Sequence, residues 1–252
     1  MLLFYGIYLP KKSMKTNLSV FKVFQHSDEY FEMLSNTEFS RKFVLKQVMF
    51  ILLFTFLYGI VMGSYNGFLQ SLVTGIKVPC LIFLSLLICF PALYVIQYMI
   101  GSTMTLSQMA NVILSGFIVF STIALSFAPI VIFFMITSSN YSFLKILHVS
   151  IFSFSGLFAV KTIISGLSFS CEKKNIYPKL GMKIFKIWIV IFAFVASQLA
   201  WNLRPFVGSR DLPLELFRVR ESNFYVAVIQ SVVQLFTPDR DTNTGAQDNK
   251  TP

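Results

Sequence analysis

Apolar residues fall in five long runs, at roughly 43–63, 78–100, 109–136, 146–166 and 184–203, parted by short polar or glycine-bearing stretches. A helix needs ~20 mostly apolar residues to cross the hydrocarbon core. Within lipid, only a helix satisfies its own backbone inside one segment. The pattern predicts an all-α, polytopic transmembrane bundle of about five spans over 43–206, flanked by amphipathic or interfacial helices at both ends. Before the first run, 18–42 predicts an amphipathic helix, cytoplasmic or interfacial. Val20, Val23, Phe24, Tyr30, Phe31 and Leu34 share one side, and Lys22, Gln25, His26, Glu29 and Glu32 the other. After the last run, 207–236 reads as an interfacial segment with short helices. Pro213 suits a first helical turn there, and 222–236 is apolar yet short for a span. Residues 237–252 are polar and aperiodic, and read as a disordered tail.

The extreme N-terminus, 1–17, reads as unstructured or as a mis-assigned start. Its apolar stretch Met1–Leu9 precedes Lys11 and Lys12, whereas a signal peptide carries its charge first. Met14-Lys15-Thr16-Asn17 looks like a natural beginning.

Glycine and proline punctuate the spans. Gly59 and Gly63, four apart, share a helix face where a second helix can approach closely; packing within the monomer is expected ahead of dimerisation. The segment 64–77 is semi-polar and is expected to form a short helix across the interface. Pro91 predicts a kink in span two and Pro129 a bend near the far end of span three. The uncharged connection 101–107 makes spans two and three an antiparallel hairpin.

Composition agrees with the pattern and adds little. Of 252 residues, 55% are hydrophobic, and the mean hydropathy is +0.69. A soluble domain could not cover so much apolar surface. The net charge of +10 has a membrane explanation. Lys11, Lys12, Lys15, Lys22, Arg41, Lys42 and Lys46 precede or open span one, and Lys173, Lys174, Lys179, Lys183 and Lys186 surround the fourth loop. Five-span topology puts both groups on one side, which the positive-inside rule makes cytoplasmic. No arginine-rich groove with interleaved aromatics points to nucleic acid.

Candidate chemistry is sparse. There is no zinc-protease, nucleophile-elbow or phosphate-loop motif, and no Asp or Glu within any of the five runs, so acid–base work lacks partners. The chain therefore reads as a non-enzyme. Cys80, Cys89 and Cys171 form no metal-spaced set, so neither a metal nor any other cofactor is expected. Lys145, His148 and Lys161 lie near the ends of span four. The lysines are expected to snorkel and the histidine to stay neutral near the interface. Gln97, Gln108, Asn111 and Gln198 could line a polar path, or could bond between helices.

The string Ser197-Gln198-Leu199-Ala200-Trp201-Asn202-Leu203-Arg204-Pro205-Phe206-Val207-Gly208-Ser209 resembles a signature of bacterial multi-span membrane proteins. Glu221-Ser222-Asn223-Phe224-Tyr225, Cys89-Phe90-Pro91-Ala92-Leu93-Tyr94 and Leu106-Ser107-Gln108 extend the likeness over most of 18–236. The architecture is also similar to that of Yip1-type proteins. The resemblance implies the fold and a bacterial inner-membrane location, and no activity.

One candidate site follows from the residues themselves. Trp201, Arg204, Pro205, Phe206 and Arg210 form an arginine-bearing corner at the end of span five. It suits a lipid phosphate or a partner's carboxylate, or simply an anchor that fixes the height of the span. The expected partners are the bilayer, anionic headgroups, and a protein partner or second copy. The function expected is a scaffold or assembly subunit, with a channel or permease component as the alternative.

Overall fold

The computed structural model describes residues 31, 41–137, 141–172, 176, 178–203, 206, 226, 229 and 233, with only the backbone for 41 and 42. Six helices are described: α1 Arg41–Gly63, α2 Phe68–Met99, α3 Leu106–Ser126, α4 Ala128–Thr137, α5 Tyr141–Glu172 and α6 Lys179–Leu203. Taken as one run, α3 and α4 form a third span. The described residues thus hold five helical stretches long and apolar enough to cross a membrane, and no strand. The chain is an all-α, multi-pass membrane protein.

The centre of the bundle is α3. Every residue from Asn111 to Val119 is buried, so this helix is apolar on all sides because it meets protein on all sides. The first span runs parallel to the third. Gln47 Nε2 lies 3.5 Å from the Asn111 carbonyl near one end, and Ser64 Oγ lies 3.9 Å from Met135 Sδ near the other. The fourth span runs antiparallel to α3: Gly116 faces Ala159 and Ile163, while Gly166 faces Val112. Phe117 of α3 also meets Phe192 of α6 edge to face, at 5.6 Å between centroids.

Gly59 and Gly63 do pack inside the chain. A Cβ at Gly59 would stand 2.7 Å from the Thr74 carbonyl oxygen, and one at Gly63 2.6 Å from that of Gln70. The α1–α2 hairpin is therefore in backbone contact at this end.

One expectation about the spans needs correction. Residues 68–77 are not a separate interfacial helix; they are the first turns of α2, which is continuous from Phe68. Pro79 reads as a helix start, yet the apolar residues before it carry the pattern on. The same helix carries Pro91 in its interior, where neighbouring helices can satisfy what a membrane proline frees. Span three, by contrast, does break: α3 ends at Ser126 and α4 begins at Ala128. Pro129 has no N–H to offer the Leu125 carbonyl, and its ring crowds that group.

The α2–α3 turn is closed by local hydrogen bonds. Gly101 adopts φ +94°, where a side chain would be strained. The Ser102 amide donates to the Gln97 carbonyl at 3.1 Å, and the Gly101 amide to Tyr98 at 3.0 Å, the Schellman ending of a helix. Thr105 then caps α3: its hydroxyl accepts from the Gln108 amide, and the Gln108 side chain accepts from the Thr105 amide.

Most of the outer regions, 1–17, 18–42, 207–236 and 237–252, lie outside the described residues. Phe31 is an exception: it is helical, buried, and stands 6.3 Å from Phe169 between ring centroids, on the C-terminal part of α5. Val226, Ile229 and Val233 are helical and exposed.

Candidate functional site

The corner after α6 is tied down at two described residues. Trp201 is buried, at 8% exposure. Phe206 packs on the core, and its carbonyl accepts a 2.8 Å hydrogen bond from the Thr74 hydroxyl of α2. Thr74 is fully buried. The corner thus fastens the end of α6 to the start of α2. Arg204, Pro205 and Arg210 lie outside the described residues.

A second polar site joins spans one and four. The Tyr58 hydroxyl lies 2.8 Å from His148 Nδ1, and the rings meet edge to face at 5.8 Å. Phe152 stands 5.4 Å from Tyr58. His148 is only 2% exposed. It points into the helix packing, on the buried stripe with Leu144, Ile151 and Ser155, in the second turn of α5. Sequence reasoning passed over Tyr58. The available signal was depth, because Tyr58 lies five residues before the end of α1 and His148 seven after the start of α5.

The lysines of α5 behave differently from that histidine. Lys145 places its ammonium 4.8 Å from the centroid of the Tyr141 ring, a cation–π contact. Lys161 is exposed. It stands eleven residues short of Glu172. A helix of 32 residues is ~48 Å long, against ~30 Å of hydrocarbon, so the helix overhangs and the side chain has room to snorkel.

The amides are engaged in separate contacts. Gln97 Nε2 donates to the Gly181 carbonyl at 3.0 Å, Gln108 serves the α3 cap, and Asn111 lies beside Gln47. These groups sit at one end of the bundle, next to the α2–α3 turn. Gln198 lies near the far end of α6. Within the bundle, Asn111 Oδ1, Ser155 Oγ and His148 Nε2 are buried with no hydrogen-bond partner among the described groups.

Of the five spans, α6 is the least buried inside the bundle. One side of this helix is fixed to α2: besides the Gln97 bond, the Trp188 indole N–H donates to the Cys89 carbonyl at 2.9 Å. Phe185, Trp188 and Phe192 stack along that side. The other side leaves Ile187, Val190, Ile191 and Phe194 exposed. A groove of about 490 Å³ also lies between α1 and α2, lined by Met49, Leu52, Leu53, Phe56, Ile76, Pro79, Cys80 and Phe83. Its side chains are hydrocarbon or sulfur, so it suits an acyl chain and not a polar solute. Among the described residues no group of three or more His, Cys, Asp or Glu could hold a metal ion, and Cys80, Cys89 and Cys171 are free thiols.

Compared with protein-family models, with curated proteins and with solved structures, the chain matches none.

Proposed function

We propose that this integral membrane protein is a non-enzymatic scaffold or assembly subunit that binds lipid or a protein partner at its outer surface. One observation carries the reading. α6 is held to the bundle along one face and presents the opposite face, Ile187, Val190, Ile191 and Phe194, outward. An apolar face of that length must be covered by lipid or by another helix, and in the membrane the helix packing of a partner is the means of assembly. The lysines around the fourth loop support a cytoplasmic N-terminus by charge asymmetry. The Trp201–Gly208 string supports a bacterial inner membrane through its resemblance alone.

Native mass spectrometry of the full chain, extracted gently from its own membrane, tests the reading. A stoichiometric second protein or a retained lipid is expected. A bare monomer under conditions that preserve known complexes contradicts it.

A second reading, a channel or permease component, is favoured by the buried, unpartnered atoms of Asn111, Ser155 and His148. Ion or solute flux through proteoliposomes that is lost in Asn111→Leu or Ser155→Ala would establish it in place of the first.

A further inference from the structure

We propose that the first two-thirds of α6 is a binding site for an anionic phospholipid, with Lys179, Lys183 and Lys186 holding the headgroup and Val190 and Phe194 lying along an acyl chain. The proposal rests on the lipid-binding reading above and names its site, at the opposite end of α6 from the arginine corner.

Spacings of four, three, four and four place these five residues on one stripe of the helix. All five are exposed: the three lysines, Val190 at 69% and Phe194 at 55%. The stripe changes character once, from three cations to apolar side chains. From Lys179 to Phe194 it measures ~22 Å at 1.5 Å per residue. That matches half of a bilayer of ~40–45 Å counted with its headgroups. Charge and hydrocarbon therefore stand at the depths where one phospholipid has its phosphate and its chain.

The helix cannot turn this stripe inward. Gly181, Phe185 and Trp188 are buried on the other face, and the Gln97 and Trp188 hydrogen bonds fix the rotation. Nor does α6 itself offer a counter-charge, since it carries no Asp or Glu. Glu172, the nearest acidic residue in sequence, is one carboxylate against three lysines, so most of the balancing charge comes from elsewhere. A soluble acidic partner would answer the lysines and leave Val190 and Phe194 bare, whereas a phospholipid answers both.

The experiment titrates the full chain, in detergent micelles, with phosphatidylglycerol or phosphatidylcholine of identical acyl chains, and reads bound lipid by native mass spectrometry. Wild type is expected to prefer phosphatidylglycerol. The variant K179Q/K183Q/K186Q should bind it at least about tenfold more weakly, since each lysine near a membrane surface contributes on the order of a few-fold. Its phosphatidylcholine binding should be unchanged, which also shows that the fold survives. K179R/K183R/K186R should keep the preference, and so should K11Q/K12Q/K15Q, which removes the same charge elsewhere. Equal losses in the two glutamine variants overturn the site in favour of net charge. Undiminished phosphatidylglycerol binding by K179Q/K183Q/K186Q overturns the site and leaves the broader reading standing. Retention of neither lipid nor protein by wild type removes both.

Discussion

The Tyr58 hydroxyl and His148 Nδ1 stand 2.8 Å apart, across 90 positions of sequence, and join the first span to the fourth. If the phenol donates, the imidazole proton sits on Nε2, which finds no partner among the described groups. If the ring donates through Nδ1, Nε2 becomes an unmet acceptor. Either tautomer leaves Nε2 for something outside the pair to meet. Tyr58→Phe should therefore lower stability by about 1 kcal/mol, within the range for interhelical bonds in membranes. His148→Phe should be less than additive with it, because both remove one bond. Unfolding in mixed micelles measures both. Strict additivity would mean that the bond contributes nothing.

Backbone contact between α1 and α2 makes a sharper forecast. Gly59→Ala and Gly63→Ala each set a methyl group 2.6–2.7 Å from a carbonyl oxygen of α2. Helices must separate to admit it, at about 1–3 kcal/mol each. Gly156→Ala meets nothing within 4 Å and should be neutral, or stabilising by up to about 1 kcal/mol. Thermal denaturation of the three variants side by side reads the contrast.

The attachment of α6 rests on few polar contacts. Trp188→Phe keeps most of the stacking with Phe185 and Phe192 but removes the donor to the Cys89 carbonyl. The expected loss is about 0.5–1.5 kcal/mol. It should appear first as faster hydrogen exchange in 179–203, ahead of the rest of the bundle. Uniform exchange across all spans would show that α6 is no weaker than its neighbours.

Capping of α3 is equally local. Thr105→Ala removes the hydroxyl that accepts from the Gln108 amide and should lower the stability of the α2–α3 hairpin by about 1 kcal/mol. Thr105→Ser should restore it. A drop shared by both would assign the effect to packing of the threonine methyl.

Hydrophobic run length made the five spans legible, because the bilayer sets one length scale and one rule for backbone satisfaction. The Gly59–Gly63 face was legible for the same kind of reason: spacing alone puts both on one side of a helix. The start of α2 was not. Proline at 79 looks like a beginning, and the decision to continue from Phe68 is made by packing against α1. The partnership of His148 with Tyr58, 90 positions away, was not legible, because pairing across spans leaves no local trace. The Thr105–Gln108 cap was written in the chain as Thr-x-x-Gln before an apolar run, and a polar-path reading of Gln108 obscured it. At the arginine corner, the sequence supplied Trp201 and Phe206 but not the Thr74 hydroxyl that donates to the Phe206 carbonyl.

The central claim is a five-span bundle with alternating sides, its α2–α3 turn beside the lysine-rich end. The Thr103 amide donates to the Ile176 carbonyl at 3.1 Å, which places the second and fourth connections on the same side. Single cysteines at Asn66, Thr103 and Lys179, in a chain with Cys80, Cys89 and Cys171 replaced by alanine, test this with an impermeant thiol reagent on intact cells. Labelling of Asn66→Cys alone, with Thr103→Cys and Lys179→Cys reacting only after permeabilisation, is the predicted result. Labelling of Asn66→Cys and Thr103→Cys from the same side would contradict it.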